Sequence, residues 1–305
     1  MTTESDIVPD SERRGLIGAL PRPIRPFASL MRLDRPIGAW LLFWPCAWSV
    51  ALAGLGTRGV ELILWLGLGA FAMRSAGCVY NDIVDRDLDA RVERTKLRPL
   101  ASKRVSLKSA WALLAGLSLI GLLVLLQLER TAQVVGLASL ALVAAYPFMK
   151  RITWWPQAWL GLVFSWGALV GWAAVRGEVE APALFLYAGS VFWVIGYDTI
   201  YALQDKEDDA LAGVKSSALA LGKRARLGIG IMYFLALTLW ITAIQSLRPE
   251  TLALAALLPV ALHLLWQVAT LKPDDGADAL AKFRSNRFAG LLMFLACLVV
   301  GTAGA

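Results

Sequence analysis

Two acid-rich runs hold most of the side chains in this sequence that could do chemistry. The first is Asn81-Asp82-Ile83-Val84-Asp85-Arg86-Asp87-Leu88-Asp89, and the second is Asp198-Thr199-Ile200-Tyr201-Ala202-Leu203-Gln204-Asp205-Lys206-Glu207-Asp208-Asp209. On a helix, Asp82, Asp85 and Asp89 fall at i, i+3 and i+7 and share one face, with Asn81 flanking it and Asp87 pointing elsewhere. Asp198, Asp205 and Asp209 fall at i, i+7 and i+11, again one stripe, with Asp208 beside it. Each run follows an apolar segment, where closely spaced carboxylates are costly to keep charged without a cation. A few carboxylates with open positions for water and phosphate oxygens suit Mg²⁺. An EF-hand loop starting at Asp85 is excluded, because position 6 would be Ala90 rather than Gly and position 12 Lys96 rather than Glu.

Cations surround these acids. Arg91, Arg94, Lys96 and Arg98 follow the first run, Lys206 and Lys215 lie within or after the second, and Lys150 and Arg151 close another apolar segment. Arg74 lies two turns before Asp82 on the same helical face. Acids and bases together suggest a polyanion bridged to carboxylates by metal and held directly by Lys and Arg; diphosphate is the natural candidate. Aromatic residues near the acids (Tyr80, Tyr146, Phe148, Tyr197, Tyr201) could shield a carbocation with their π-faces. Arg86 and Lys103 read equally well as ligands or as topology determinants and lipid contacts.

The elements that must position these groups are membrane spans. The chain is 58% hydrophobic and 17% charged, outside the usual range of soluble globular proteins. Nine long apolar stretches lie near 37–54, 60–81, 109–128, 132–149, 155–175, 182–203, 227–247, 251–271 and 288–304. With the N-terminus in the cytoplasm, all of the 30 Lys and Arg except Arg58, Arg130, Arg176 and Arg248 fall on the cytoplasmic side, a strong positive-inside signal. The C-terminus is then outside. The spans end in even-numbered crossings before both acid runs, so the runs share the cytoplasmic side. A weak resemblance between Gly77-Cys78-Val79-Tyr80-Asn81-Asp82 and Ile195-Gly196-Tyr197-Asp198 fits a four-helix unit used twice, with the runs across a central cavity. Residues 1–30 read as a polar tail without a signal peptide, and 31–305 as one transmembrane domain.

Other classes fare worse. The net charge of +7 gathers on one membrane face and is no nucleic-acid footprint. One histidine and three scattered cysteines make neither a zinc site nor a disulfide framework; His263 reads as a packing residue. A cation-coupled transporter is disfavoured because the acids lie at helix ends rather than at mid-bilayer.

The run Asn81-Asp82-x-x-Asp85-x-x-x-Asp89, with Arg94-Thr95 and Arg98-Pro99-Leu100, closely resembles the first aspartate-rich motif of the UbiA superfamily of intramembrane prenyltransferases. Leu33-Asp34-Arg35-Pro36-Ile37-Gly38, Tyr146-Pro147-Phe148-Met149-Lys150-Arg151, Tyr197-Asp198-Thr199-x-Tyr201-Ala202, Gln204-Asp205-x-x-Asp208-Asp209 and Gly213-Val214-Lys215-Ser216 look like the branch that prenylates 4-hydroxybenzoate. The likeness spans roughly 30–300. It implies nine transmembrane helices around a central cavity and two Mg²⁺ ions, held by Asp82, Asp85 and Asp89 on one side and by Asp205 and Asp209 on the other, with Asp198 nearby. One departure is visible: many relatives carry a Gly after the Arg-Pro-Leu segment, where this chain has Ser102-Lys103, which leaves that loop's geometry open.

The expected reaction is ionisation of a polyprenyl diphosphate followed by attack from the ring carbon of 4-hydroxybenzoate ortho to its hydroxyl. Asp82, Asp85 and Asp205 are the acids on which turnover should depend. Asn81, Arg74, Arg94, Arg98, Lys150 and Lys215 are assigned to the diphosphate. Arg151, with Lys150 as alternative, is assigned to the acceptor carboxylate, alongside Tyr146. Haem, naphthoate or a homogentisate-like ring remain alternative acceptors. The expected location is a bacterial inner membrane with the site facing the cytoplasm, or the mitochondrial inner membrane in a eukaryote.

Overall fold

The structure is a computed structural model and describes residues 14–91, 95–204, 206 and 215–302. Among these, the regular elements are helices: α1 (Arg14–Ala19), α2 (Arg25–Leu30), α3 (Ile37–Ala53), α4 (Gly59–Asp89), α5 (Leu107–Leu125), α6 (Arg130–Ile152), α7 (Pro156–Ser165), α8 (Gly167–Arg176), α9 (Ala181–Gln204), α10 (Ser217–Leu221), α11 (Ala225–Leu247), α12 (Thr251–Ala255), α13 (Leu258–Thr270) and α14 (Gly276–Thr302). Among the described residues eight helices are long and apolar enough to cross a membrane, taking α7 with α8 as Pro156–Arg176 and likewise joining Ser217–Leu247 and Ala253–Thr270. The first expected span, Ile37–Ala53, is an apolar helix of 17 residues with Pro45 inside it. Leu64, Leu123, Val134, Leu227, Phe234 and Leu265 are each more than half exposed, as suits helices whose outer faces meet lipid.

The chain forms two compact units. One comprises the described residues up to Trp40 together with Leu68–Val124. Its core joins Leu30, Ala76, Val79, Leu100, Val105, Ala110 and Leu117, with Phe27, Met31 and Ile83 packed against them. Leu100 and Val105 enter this core because the segment after α4 bonds to itself: Arg98 N donates to Thr95 O (2.8 Å), Ser102 N to Arg98 O (2.9 Å) and Val105 N to Pro99 O (3.0 Å). Lys103 takes φ +58° there, the left-handed region that glycine occupies without a Cβ penalty. The loop left open in the sequence thus adopts a glycine-type turn with a lysine in it.

The other unit comprises Leu41–Gly67 and the chain from Leu125 onward. Its central helix is α9, packed against α7, α11 and α14. Trp48, Trp193 and Trp240 are fully buried, with ring centroids 4.9 Å apart for Trp48–Trp193 and 5.4 Å for Trp48–Trp240. Two of the indoles reach acceptors: Trp48 Nε1 donates to Gly290 O (2.8 Å) and Trp193 Nε1 to Asn286 Oδ1 (2.9 Å). Tyr233 OH donates to Gln267 Oε1 (2.7 Å), and Gln267 Nε2 to Ser285 Oγ (3.0 Å), which lies 3.3 Å from His263 Nε2. His263 is therefore a hydrogen-bonded packing residue among α13 and α14.

Candidate active site

α4 continues unbroken to Asp89, so the acid run stays in helical register. Asp82, Asp85 and Asp89 are all buried while Asp87 is exposed and pairs with Arg86 (3.0 Å). Helical period has sorted four acids into three that face inward and one that faces out.

Among the described residues, Arg32 and Arg98 reach this face. Arg32 Nη2 donates to both Asp82 oxygens, at 2.8 and 3.0 Å. Arg98 Nη1 donates to Asp89 Oδ2 (2.9 Å) and lies 3.4 Å from Asp82 Oδ1. The self-bonded turn that buries Leu100 aims Arg98 back at the helix, and Thr95 Oγ1 fastens its start by donating to Asp89 O (3.0 Å). Burial acts to lower the Arg32 pKa, but the charges of Asp82, Cys78 and Asp34 and the hydrogen bond to Asp82 raise it above its ordinary value.

Arg32 is held by backbone geometry as well. α2 ends in a Schellman motif: Leu33 N donates to Ala28 O (3.1 Å) and Arg32 N to Ser29 O (3.1 Å). This places Arg32 at the position after the C-cap with φ +59°, where glycine is the usual occupant. Its Nη1 donates to Ser29 O (3.0 Å). Sequence reasoning assigned Arg32 no role. Its only signal there is adjacency to Leu33-Asp34-Arg35-Pro36.

Arg74 lies on α4 against the first turn of α3. Its guanidinium contacts Cys78 Sγ, and a β-carbon at Gly38 would overlap it. Asn81 is half-buried on the same helix. Asp34 is buried, with Oδ2 accepting from Arg35 Nε (3.2 Å) and Oδ1 lacking a hydrogen-bond partner.

In the other unit, Asp198 is half-buried on α9, and Gln204 Oε1 at the end of that helix is buried without a partner. Arg94, Asp205, Asp208 and Asp209 lie outside the described residues. The end of α6 gathers several of the expected cations. Lys150 and Arg151 occupy its last turn, and Lys215 Nζ donates to Ile152 O (3.3 Å) and sits 5.8 Å from the Trp154 ring. Cations there also offset the helix dipole. Tyr146 is half-buried one turn earlier. Ser216 caps α10, and Ser217 is locked between Thr199 Oγ1 (2.7 Å) and Gln157 Oε1 (3.0 Å), which anchors the segment carrying Lys215.

The donor set fits a hard divalent cation in kind: carboxylate oxygens, aligned on one helix face and buried. Among the described residues no three His, Cys, Asp or Glu are grouped to hold a metal. The Asp82 and Asp89 carboxylates are turned to guanidinium groups instead.

Among the described residues, long apolar helices, one of which carries buried, arginine-paired carboxylates, give the chain the character of a membrane protein. The UbiA prenyltransferase family model matches residues 42–298. The chain belongs to this family and is a prenyltransferase. It is 46% identical over 285 residues to a Caenorhabditis elegans protein named "4-hydroxybenzoate polyprenyltransferase, mitochondrial", covering 92% of this chain and 79% of that protein. A rat protein of the same name is 45% identical, covering 92% and 76%. Among solved structures, a UbiA homolog from Aeropyrum pernix K1 superposes with a TM-score of 0.70 at 27% identity, covering 85% of this chain and 97% of that one. A UbiA homolog from Archaeoglobus fulgidus bound to GPP and Mg²⁺ gives 0.66 at 16% identity, covering 90% and 99%, and is alike in fold.

Proposed function

We propose that this enzyme transfers the polyprenyl group of a polyprenyl diphosphate to the ring carbon ortho to the hydroxyl of 4-hydroxybenzoate. The observation that carries the reading is the buried ladder Asp82, Asp85 and Asp89 with Arg32 and Arg98 on it. The names of the relatives support the acceptor, and the Archaeoglobus structure with GPP and Mg²⁺ supports the donor and the ion. Two Mg²⁺ ions are assigned to Asp82, Asp85 and Asp89 and to Asp205 and Asp209 with Asp198. When bound, Mg²⁺ neutralises diphosphate oxygens and makes the group a better leaving group.

The protein's own groups have separable tasks. Arg74, Arg98, Lys150, Lys215, Asn81 and Arg94 hold the diphosphate as it departs with the electron pair of the C1–O bond, where negative charge develops. The C1 carbon then forms a bond to the acceptor ring, which loses the proton from that carbon. Tyr146 and Arg151 orient the acceptor, Arg151 through its carboxylate. The acids are ligands in this scheme rather than general bases. Ile37–Ala53 is the ninth crossing, the N-terminus is cytoplasmic, and the site faces the cytoplasm of a bacterial inner membrane, or lies in the mitochondrial inner membrane in a eukaryote.

The test is prenyl transfer in membranes given radiolabelled 4-hydroxybenzoate and a polyprenyl diphosphate, with and without EDTA. Labelled lipid product that EDTA abolishes and Mg²⁺ restores is expected. Asp82→Asn should fold and lose at least about 100-fold in turnover. Full turnover in Asp82→Asn, or transfer only to a different acceptor ring, sinks the assignment.

A further inference from the structure

Both oxygens of Asp82 are already occupied by protein cations. Oδ1 accepts from Arg32 at 2.8 Å with Arg98 at 3.4 Å, and Oδ2 accepts from Arg32 at 3.0 Å. Arg98 also takes Asp89 at 2.9 Å. Asp82 and Asp89 are thus each paired with a guanidinium group, on a helix face whose third carboxylate, Asp85, is also buried and where an unpaired charge would be costly.

The backbone shows that Arg32 is placed there against local preference. It stands at the glycine position of a Schellman motif with φ +59°, which costs an L-residue about 1–2 kcal/mol. A glycine would end α2 equally well but would leave Asp82 only the 3.4 Å contact from Arg98. Strain kept at a site is a pointer to what the side chain does.

We propose that Arg32 is the internal counter-cation of Asp82 in the ligand-free enzyme, so that a divalent cation gains Asp82 only together with a diphosphate that takes over the guanidinium. This rests on the assignment of Asp82 as a metal ligand made above. A lone dication must displace the Arg32 Nη2 contact that spans both Asp82 oxygens without offering Arg32 a new partner. A dication arriving with diphosphate replaces that pair: the carboxylate turns to the metal and the guanidinium to phosphate oxygens, a match guanidinium geometry favours. Metal and diphosphate are thereby thermodynamically coupled, each raising the affinity for the other. Toward the metal Arg32 acts through Asp82 as a positioning residue, and toward the diphosphate it makes direct contact.

The experiment is calorimetric titration of the full-length protein in lipid nanodiscs with Mg²⁺, alone and with saturating inorganic pyrophosphate. Wild type, Arg32→Gln and Arg32→Lys are compared, each checked for folding by thermal unfolding. In wild type, pyrophosphate should tighten Mg²⁺ binding by about tenfold or more. Arg32→Gln should bind Mg²⁺ alone about tenfold more tightly than wild type and lose most of the coupling, an outcome that loss of a merely structural contact does not produce. Arg32→Lys, which keeps the charge without the fork that also reaches Ser29 O, should fall between them and decides the matter if Arg32→Gln does not fold. Equal Mg²⁺ affinity in wild type with and without pyrophosphate overturns the proposal, as does a folded Arg32→Gln that binds Mg²⁺ no better than wild type. Prenyl transfer by the wild-type sample is measured alongside. Transfer without coupling overturns this proposal alone, whereas Mg²⁺ binding under no condition overturns it together with the assignment of Asp82.

Discussion

The guanidinium of Arg74 lies so close over Gly38 that the first turn of α3 has no room for a side chain beneath it. A β-carbon on Gly38 would overlap Nε and come within 2.9 Å of Nη2. Glycine here supplies space rather than backbone freedom, and the space belongs to a cation on the acid face of α4. Gly38→Ala should therefore fold, because the obstructing atoms are the far end of a flexible side chain, but Arg74 must move. The KM for polyprenyl diphosphate should rise roughly three- to tenfold, the worth of about one hydrogen bond. Steady-state kinetics beside a thermal unfolding scan checks this. An unchanged KM would remove Arg74 from the diphosphate-binding set.

Asp82→Ala is a less innocent variant than the sequence suggests. Asp82 is 1% exposed and accepts from Arg32 Nη2 with both oxygens, so truncation strands a partly buried guanidinium. We expect a loss of about 3 kcal/mol in stability, with much of it recovered in Asp82→Ala/Arg32→Gln. Chemical denaturation of the two single variants and the double variant measures this. Strict additivity would show that the ion pair contributes no coupling energy.

Lys103→Gly should stabilise the protein by about 1 kcal/mol. Lys103 is exposed and sits at φ +58°, so the exchange relieves a left-handed L-residue without removing a buried contact. A higher unfolding temperature with unaltered turnover is the expected result. A lower one would mean that the lysine side chain, rather than the turn, holds this loop.

Gly171 marks where α8 approaches α3. A β-carbon there would lie 2.6 Å from Cys46 O and would overlap Ser49 Oγ. The carbonyl is backbone and cannot step aside, so Gly171→Ala must push the helices apart. Close helix approach through small residues is a main source of stability between membrane helices, and a loss of about 1–3 kcal/mol is expected. Denaturation in detergent compares it with Gly116→Ala, where nothing lies within 4 Å of the added carbon. Similar behaviour of the two would refute the close contact.

The parts of this architecture governed by short period were legible from composition and spacing. The apolar runs mark the helices, and the i, i+3, i+7 spacing separates Asp82, Asp85 and Asp89 from Asp87, because both follow from 3.6 residues per turn. What long-range packing decides was not. Arg32 reads as one basic residue among several ahead of the first span. Its partner is 50 residues away, and the Schellman turn that presents it lacks the glycine that would have announced it. For the second acid run, Asp205 and Asp209 remain expectations from spacing and resemblance.

α4 is 31 residues long, about 46 Å at 1.5 Å per residue, against a bilayer core of about 30 Å. The crossing and the acid ladder are therefore one rigid shaft, and the angular phase of Asp82 is fixed by every residue back to Arg74. A single inserted or deleted residue between them would turn the carboxylates by about 100° from Arg74, an error no rotamer corrects. Over evolutionary time this stretch should accept exchanges of one apolar residue for another far more readily than any change of length.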